Sequence, residues 1–209
     1  MTKEQLYDDV YALLEDRFIR GHYLPNEPIS DYALSKELQM SRHPIRRAMQ
    51  TLQQQGYLSA DRHQSKLVIG YSDEQRSQMY TYILQLVHMA LFYERTSIPY
   101  AHVEHLLQQL KAYATTTTFF DYATKLADIY NVFIRASNNS IYIDSFNYWY
   151  KPFIRMQVLQ FRLGELTTPF KEVQQLTQLL RLLRDGEMDQ AKLYLQCITD
   201  EVRHASVTS

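Results

Sequence analysis

Between positions 42 and 50, Arg42, Arg46 and Gln50 recur at four-residue steps, with His43 and Arg47 beside them. On a helix that spacing stacks side chains on one face, so the segment would present a row of long hydrogen-bond donors. Guanidinium forks and a carboxamide in such a row suit the acceptor edges of base pairs in a major groove and the phosphate oxygens beside them. No rival chemistry stands out. The chain offers no nucleophile with an evident base, no multi-cysteine cluster and no glycine-rich phosphate loop, so neither catalysis nor a cofactor is expected. Cys197 is the single cysteine, which rules out an internal disulfide and reads as core filler in a helix. His102 and His105 are spaced i, i+3 but lack a third ligand and read as surface residues. His88, inside LVHMALF, reads as a satisfied core or interface histidine.

Charge is placed where those donors are. The formal net charge is −1, yet positions 42 to 66 hold five cations, Arg42, Arg46, Arg47, Arg62 and Lys66, against the single carboxylate of Asp61. A nucleic-acid backbone meets that local basic surface and not the total.

The elements that must carry the donors follow from periodicity. Leu6, Val10, Leu13, Leu14 and Phe18 mark a first helix over Lys3 to Arg20, ended by Gly21. The segment HYLPNEPIS should be extended or turned. Ser30 caps a short second helix with Leu34 and Leu38 inward. Ser41 caps a third, its hydroxyl expected on the His43 amide because Pro44 has none. In that third helix Ile45, Ala48, Met49 and Leu52 form the buried stripe, leaving the donor row exposed. After Gly56, Tyr57, Leu58, Leu67, Val68 and Ile69 should build a two-stranded hairpin around a polar middle that carries Arg62 and His63. From Asp73 onward six helices are expected near 73–95, 99–115, 118–136, 140–163, 168–184 and 187–206, with breaks at Pro99, the TTTT run, SNNS, Gly164 to Pro169 and Asp185-Gly186.

The fold class is therefore mostly α, a winged helix-turn-helix over residues 1–71 followed by an all-helical bundle over 72–209. With 45% hydrophobic residues in 209, the chain can bury a core for each domain. It has no apolar run of membrane-spanning length. The N-terminal run MTKEQLYDDVYALLEDRF lacks the basic, apolar and cleavage regions of a secretory signal, so a cytoplasmic location without membrane partners is expected.

The stretch IRGHYLPNEPISDYALSKELQMSRHPIRRAMQTLQQQGYLSADRHQSKLVI resembles the GntR family of bacterial transcription regulators. Gly21, Tyr23 and Pro25, then Met40 through Met49, then Gly56-Tyr57-Leu58 are the counterparts of its signature. Asn26 stands where a glycine is usual, Arg47 where Glu is common, and the wing tip ADRHQSK lacks the usual glycines. The resemblance implies a DNA-binding surface of Tyr32, Ser41, Arg42, His43, Arg46, Arg47, Gln50, Arg62, His63 and Lys66. The second half resembles the helical effector domain of the FadR-like subfamily, carried by ASNN at 136–139 and LLRDGEMDQAKLYL ending at Leu195. Many members hold a divalent metal there on one Asp and three His. The corresponding positions in this chain are Leu126, Tyr130, Leu176 and Ile198, so no metal is expected.

In YIDSFNYWYKPFIRMQVLQFRLG, aromatic rings alternate with polar donors, which suits either an effector pocket or packing and a dimer surface. Tyr130, Tyr148, Trp149, Arg155 and Arg162 are the candidate effector residues. The resulting expectation is a homodimeric regulator that holds double-stranded operator DNA and answers to a small organic effector; the alternative is a helical adaptor that has lost DNA binding.

Overall fold

A computed structural model describes residues 3–59, 65–114, 119–164 and 169–205, which form nine helices and two short strands. The chain divides into two compact units, Met1–Gly70 and Tyr71–Ser209.

In the first unit, α1 (Lys3–Ile19) packs on α3 (Arg42–Gln54), and α3 also holds α2 (Asp31–Glu37). The periodic residues of α3 are those that vanish into the core: Ile45, Ala48 and Leu52 are fully buried and Met49 nearly so. Val10, Leu14 and Phe18 meet them from α1, whereas Leu13, another of the apolar positions that mark α1, is exposed. Gly21 closes α1 at φ 66°, with the His22 amide reaching the Arg17 carbonyl and the Gly21 amide the Phe18 carbonyl. That pair of bonds satisfies carbonyls a helix end would otherwise orphan, and it requires a left-handed residue. Gly56 does the same for α3 at φ 81°. A Cβ at Gly56 would meet nothing within 4 Å, so the cost of Gly56→Ala is one of backbone conformation alone. We expect about 1 kcal/mol off the unfolding free energy, measured by urea denaturation. A neutral substitution would show that the turn does not need the left-handed residue.

The segment after α1 is extended, as its prolines require, and also does more. Pro28–Ile29 forms β1, antiparallel to β2 (Lys66–Leu67), with Pro28 opposite Leu67 and Ile29 opposite Lys66. Leu58 bridges Val68, the Ser59 amide donates to Leu67 and the Ile69 amide to Tyr57, so the expected hairpin arms pair and gain β1 as a third partner. Asn26 sits at φ 67° and donates its amide to the Val68 carbonyl. A left-handed residue is needed there, and asparagine is among the few side chains that tolerate it.

In the second unit, α4 (Asp73–Phe92) packs on α6 (Phe119–Arg135), α7 (Ser140–Arg162) and α9 (Met188–Ala205), while α5 (Tyr100–Tyr113) lies on α6 and α8 (Pro169–Arg184). These six helices fall within a few residues of the expected spans. Ser72 opens α4 with a reciprocal cap, its hydroxyl taking the Gln75 amide while the Gln75 side chain takes the Ser72 amide. Asn139 caps α7 by accepting from Ile141 and Tyr142. Leu126, Ile129, Phe133, Phe146 and Phe153 are fully buried at the centre. No helix among the described residues is long and apolar enough to cross a membrane.

Candidate nucleic-acid interface and the buried carboxylate of the helical unit

Two helices aim the donor row. Ser30, extended at φ −122°, caps α2 by accepting from the Ala33 amide at 3.1 Å, which fixes Asp31 as its first helical residue. The turn to α3 is made at Gln39, φ 51°, where the Met40 amide bonds the Ser35 carbonyl at 3.1 Å and the Ser35 hydroxyl bonds the Met40 carbonyl at 2.7 Å. Ser41 is extended at φ −65°, ψ 150°, but its hydroxyl makes no capping bond. The expected bond to His43 is therefore absent, and the exposed Ser41 hydroxyl is left facing solvent at the N-terminus of α3, where helix amides and dipole favour an anion.

The face carries Arg42, His43, Arg46 and Gln50, all exposed. A groove of about 360 Å³ runs along it, floored by Met49 and edged by Asp31, Arg42, Arg46, Gln50, Gln53 and Lys66. Lys66 from β2 donates to Gln53, tying the wing to the helix. Arg47 does not join the row: its guanidinium lies 4.3 Å over the ring of Tyr7 in α1, and Tyr7 is hydrogen bonded to Thr51 at 2.8 Å. Tyr32 is half exposed, with Lys36 4.5 Å and Arg42 5.9 Å over its ring. Arg62 and His63 lie outside the described residues.

Sequence reasoning missed Asp31. Its carboxylate takes Arg42 Nη2 on Oδ1 at 2.7 Å and Arg46 on Oδ2, through Nε at 2.9 Å and Nη2 at 2.8 Å. Partial burial pushes this carboxyl up, but the hydrogen bonds from Arg42 and Arg46 outweigh it and hold the group below the ordinary aspartate range. The available signal was its place at the start of α2, which a helix-turn-helix sets against the start of α3.

In the helical unit the four positions that correspond to the subfamily's metal ligands, Leu126, Tyr130, Leu176 and Ile198, are all buried. Three are aliphatic, and no group of three or more His, Cys, Asp and Glu among the described residues is placed to hold an ion. These residues do not fit a divalent metal. Asp128 is engaged elsewhere, accepting from Tyr150 at 2.6 Å and Lys125 at 3.1 Å.

What stands near Tyr130 instead is a carboxylate the sequence reading did not single out. Glu172, buried at the start of α8, accepts from Tyr122 at 2.7 Å and from Tyr80 at 3.4 Å, and Tyr80 and Tyr130 share a hydrogen bond of 3.1 Å. Phe153 completes the cluster, 5.6 Å from Tyr80 and 6.0 Å from Tyr130 between ring centres. Burial pushes the Glu172 carboxyl up to about 7, and the Tyr122 and Tyr80 hydroxyls limit the rise. Burial likewise raises the Tyr80, Tyr122 and Tyr130 phenols.

The other effector candidates are dispersed. Tyr148 is 73% exposed, set edge-on to Trp149, which in turn meets Tyr82. Arg155 is 1% exposed with its guanidinium 5.3 Å over Tyr71, and Arg162 is at the surface near the end of α7. None of the five lines the groove along α3 or the cavity between α5 and α8 bordered by Glu104, Lys111 and Arg184. His102 and His105 are exposed as expected, but the reading of Cys197 is corrected. Cys197 is exposed and not core filler, and the buried Nε2 of His88 has no hydrogen-bond partner among the described residues.

Comparison with known proteins gives a family match for the first unit and a likeness of fold over the chain. The model of the bacterial regulatory proteins of the gntR family matches residues 6–68. A search of curated proteins finds no significant sequence match. Among solved structures, a GntR-type transcriptional regulator from Rhodococcus sp. RHA1 is similar at TM-score 0.76 with 14% identity, over 97% of this chain and 98% of that one. E. coli McbR/YncC is similar at 0.67 and 19%, over 100% and 99%. Lar, described as controlling expression of the Listeria monocytogenes agr system, is similar at 0.64 and 18%, over 100% and 98%. At these identities the likeness is one of fold.

Proposed function

We propose that the chain, whose residues 6–68 match the model of the bacterial gntR family, is a transcription regulator of that family. It grips operator DNA by inserting the N-terminal half of α3 into the major groove, and a small organic effector held in the helical unit governs that grip. The observation that carries the reading is the division of α3 into a buried apolar stripe and an exposed row of Arg42, Arg46 and Gln50. Arginine on a groove-facing helix makes bidentate contacts to guanine, the Ser41 end of the helix meets a phosphate, and Lys66 reaches the backbone from the wing. Arg47, turned onto Tyr7, serves the backbone at most. Such a protein works in the cytoplasm, where bacterial DNA lies.

The effector binds without a metal, since aliphatic side chains at three of the four ligand positions would strip an ion of water and return nothing. Two copies act together, because one small winged helix contacts too few base pairs to single out a site in a genome. Sedimentation at micromolar concentration should accordingly show a dimer; a monomer that stays monomeric on DNA would contradict this part. The reading as a whole is tested by selecting binders from a randomised duplex pool with the full chain. It predicts enrichment of an inverted repeat with guanines in each half. Failure to enrich any motif would leave a helical adaptor as the better account.

A further inference from the structure

We infer that Asp31 is the positioning residue that makes this surface selective, by tethering Arg42 and Arg46 so that they serve bases and not phosphates. The inference rests on the DNA-reading role proposed above. One carboxylate faces both arginines, one oxygen to each, and its side chain is only 15% exposed while theirs are 51% and 60% exposed. The carboxylate is thus the fixed partner and the guanidinium groups the mobile ones. Its own position is set by the Ser30 cap, which holds the first turn of α2. Arg42 has a second restraint from the same helix, the Tyr32 ring 5.9 Å away.

A guanidinium has five N–H groups in a planar fork. Arg42 directs only Nη2 to Asp31, and Arg46 directs its Nε and Nη2 edge, so each keeps donors for a base. An untethered arginine on this helix would swing to the nearest phosphate, a contact that carries no sequence information. Bridging both to Asp31 denies them that contact, and it also removes the mutual repulsion of two cations one turn apart. Where the base opposite is not guanine, the arginines stay on Asp31 and nothing is gained. Affinity for random DNA is thereby lowered more than affinity for the cognate site.

The test uses the full-length protein, a duplex selected by the wild type from a random pool, and a scrambled duplex of the same composition. In Asp31→Asn the ratio of the two affinities should fall about tenfold, the equivalent of one bidentate base contact. The loss should come mainly from tighter binding to scrambled DNA, whose salt dependence should steepen by about 0.9 in log–log slope for each arginine released. Asp31→Glu should recover part of the discrimination, and Asp31→Asn should have no further effect on discrimination once Arg42 and Arg46 are both alanine. An unchanged ratio and motif in Asp31→Asn would overturn the role of Asp31 alone. So would an equal loss on both duplexes accompanied by a lower melting temperature, the mark of a structural role. A wild type that enriches no motif would overturn the DNA-reading proposal itself and this inference with it.

Discussion

Replacing Arg42 and Arg46 together by alanine should weaken binding to a selected operator by roughly a hundredfold or more. Each good bidentate contact to a base contributes about 1 to 3 kcal/mol, and the double variant also leaves Asp31 as an unpaired negative charge in the groove. The loss on operator DNA should therefore exceed the loss on scrambled DNA, which reports phosphate contacts alone. Folding should hardly notice. Both arginines are more than half exposed, and solvent-exposed ion pairs are worth about 0 to 1 kcal/mol. Binding isotherms beside thermal melts would separate the two effects; equal binding by the variant and wild type would show that another surface meets DNA.

The second large effect lies in the helical unit and is one of pH. Glu172 has a folded-state pKa of about 7 against an ordinary 4.5, because burial disfavours its charged form. A carboxyl raised on folding favours the folded state while it is protonated. Its contribution is complete below 4.5 and is lost as pH climbs through 7, and at 1.36 kcal/mol per pH unit the loss is about 3 kcal/mol. Urea unfolding at pH 5 and pH 8 should show wild type losing about 2 to 3 kcal/mol more stability than Glu172→Gln, whose amide has no proton to give up, since a little of the contribution is already gone at pH 5. Parallel behaviour of the two proteins would mean that Glu172 titrates normally. If an effector reaches this cluster, its affinity should carry the same pH dependence, since ionising Glu172 changes what the Tyr80 and Tyr122 hydroxyls can offer it.

How far the sequence could be read depended on whether the relevant geometry was local. The stripe of Ile45, Ala48, Met49 and Leu52 fixes by periodicity alone which side of α3 is free, so the donor row was legible before any coordinates. Gly21 and Asp185-Gly186 marked helix ends because a left-handed turn is a local need. Cys197 was misread although periodicity could have placed it: Ala191, Leu195 and Ile198 define the buried side of α9, and a residue two beyond Leu195 falls on the other face. Asp31, whose one signal was its place at the start of α2, and Glu172 were missed for a different reason. Each acts by meeting side chains on other helices, Asp31 across a tight turn and Glu172 across 92 and 50 positions to Tyr80 and Tyr122. Amphipathic spacing tells which face is buried, not which polar groups will share the interior. The third strand partner escaped notice because Pro28–Ile29 has only two residues and takes its pairing from a strand far along the chain. The effector set scattered because rings and donors alternating along α7 describe packing as well as they describe a pocket.

The most direct measurement uses the selected operator with one guanine at a time replaced by 7-deazaguanine, which lacks the major-groove N7 acceptor that arginine engages. For wild type, affinity should fall by about tenfold at one or two guanines in each half of the site. The same replacements should be silent for the Arg42→Ala, Arg46→Ala double variant. Wild-type binding that ignores every N7, or a double variant that remains as sensitive as wild type, would contradict the claim that these two arginines read the operator from α3.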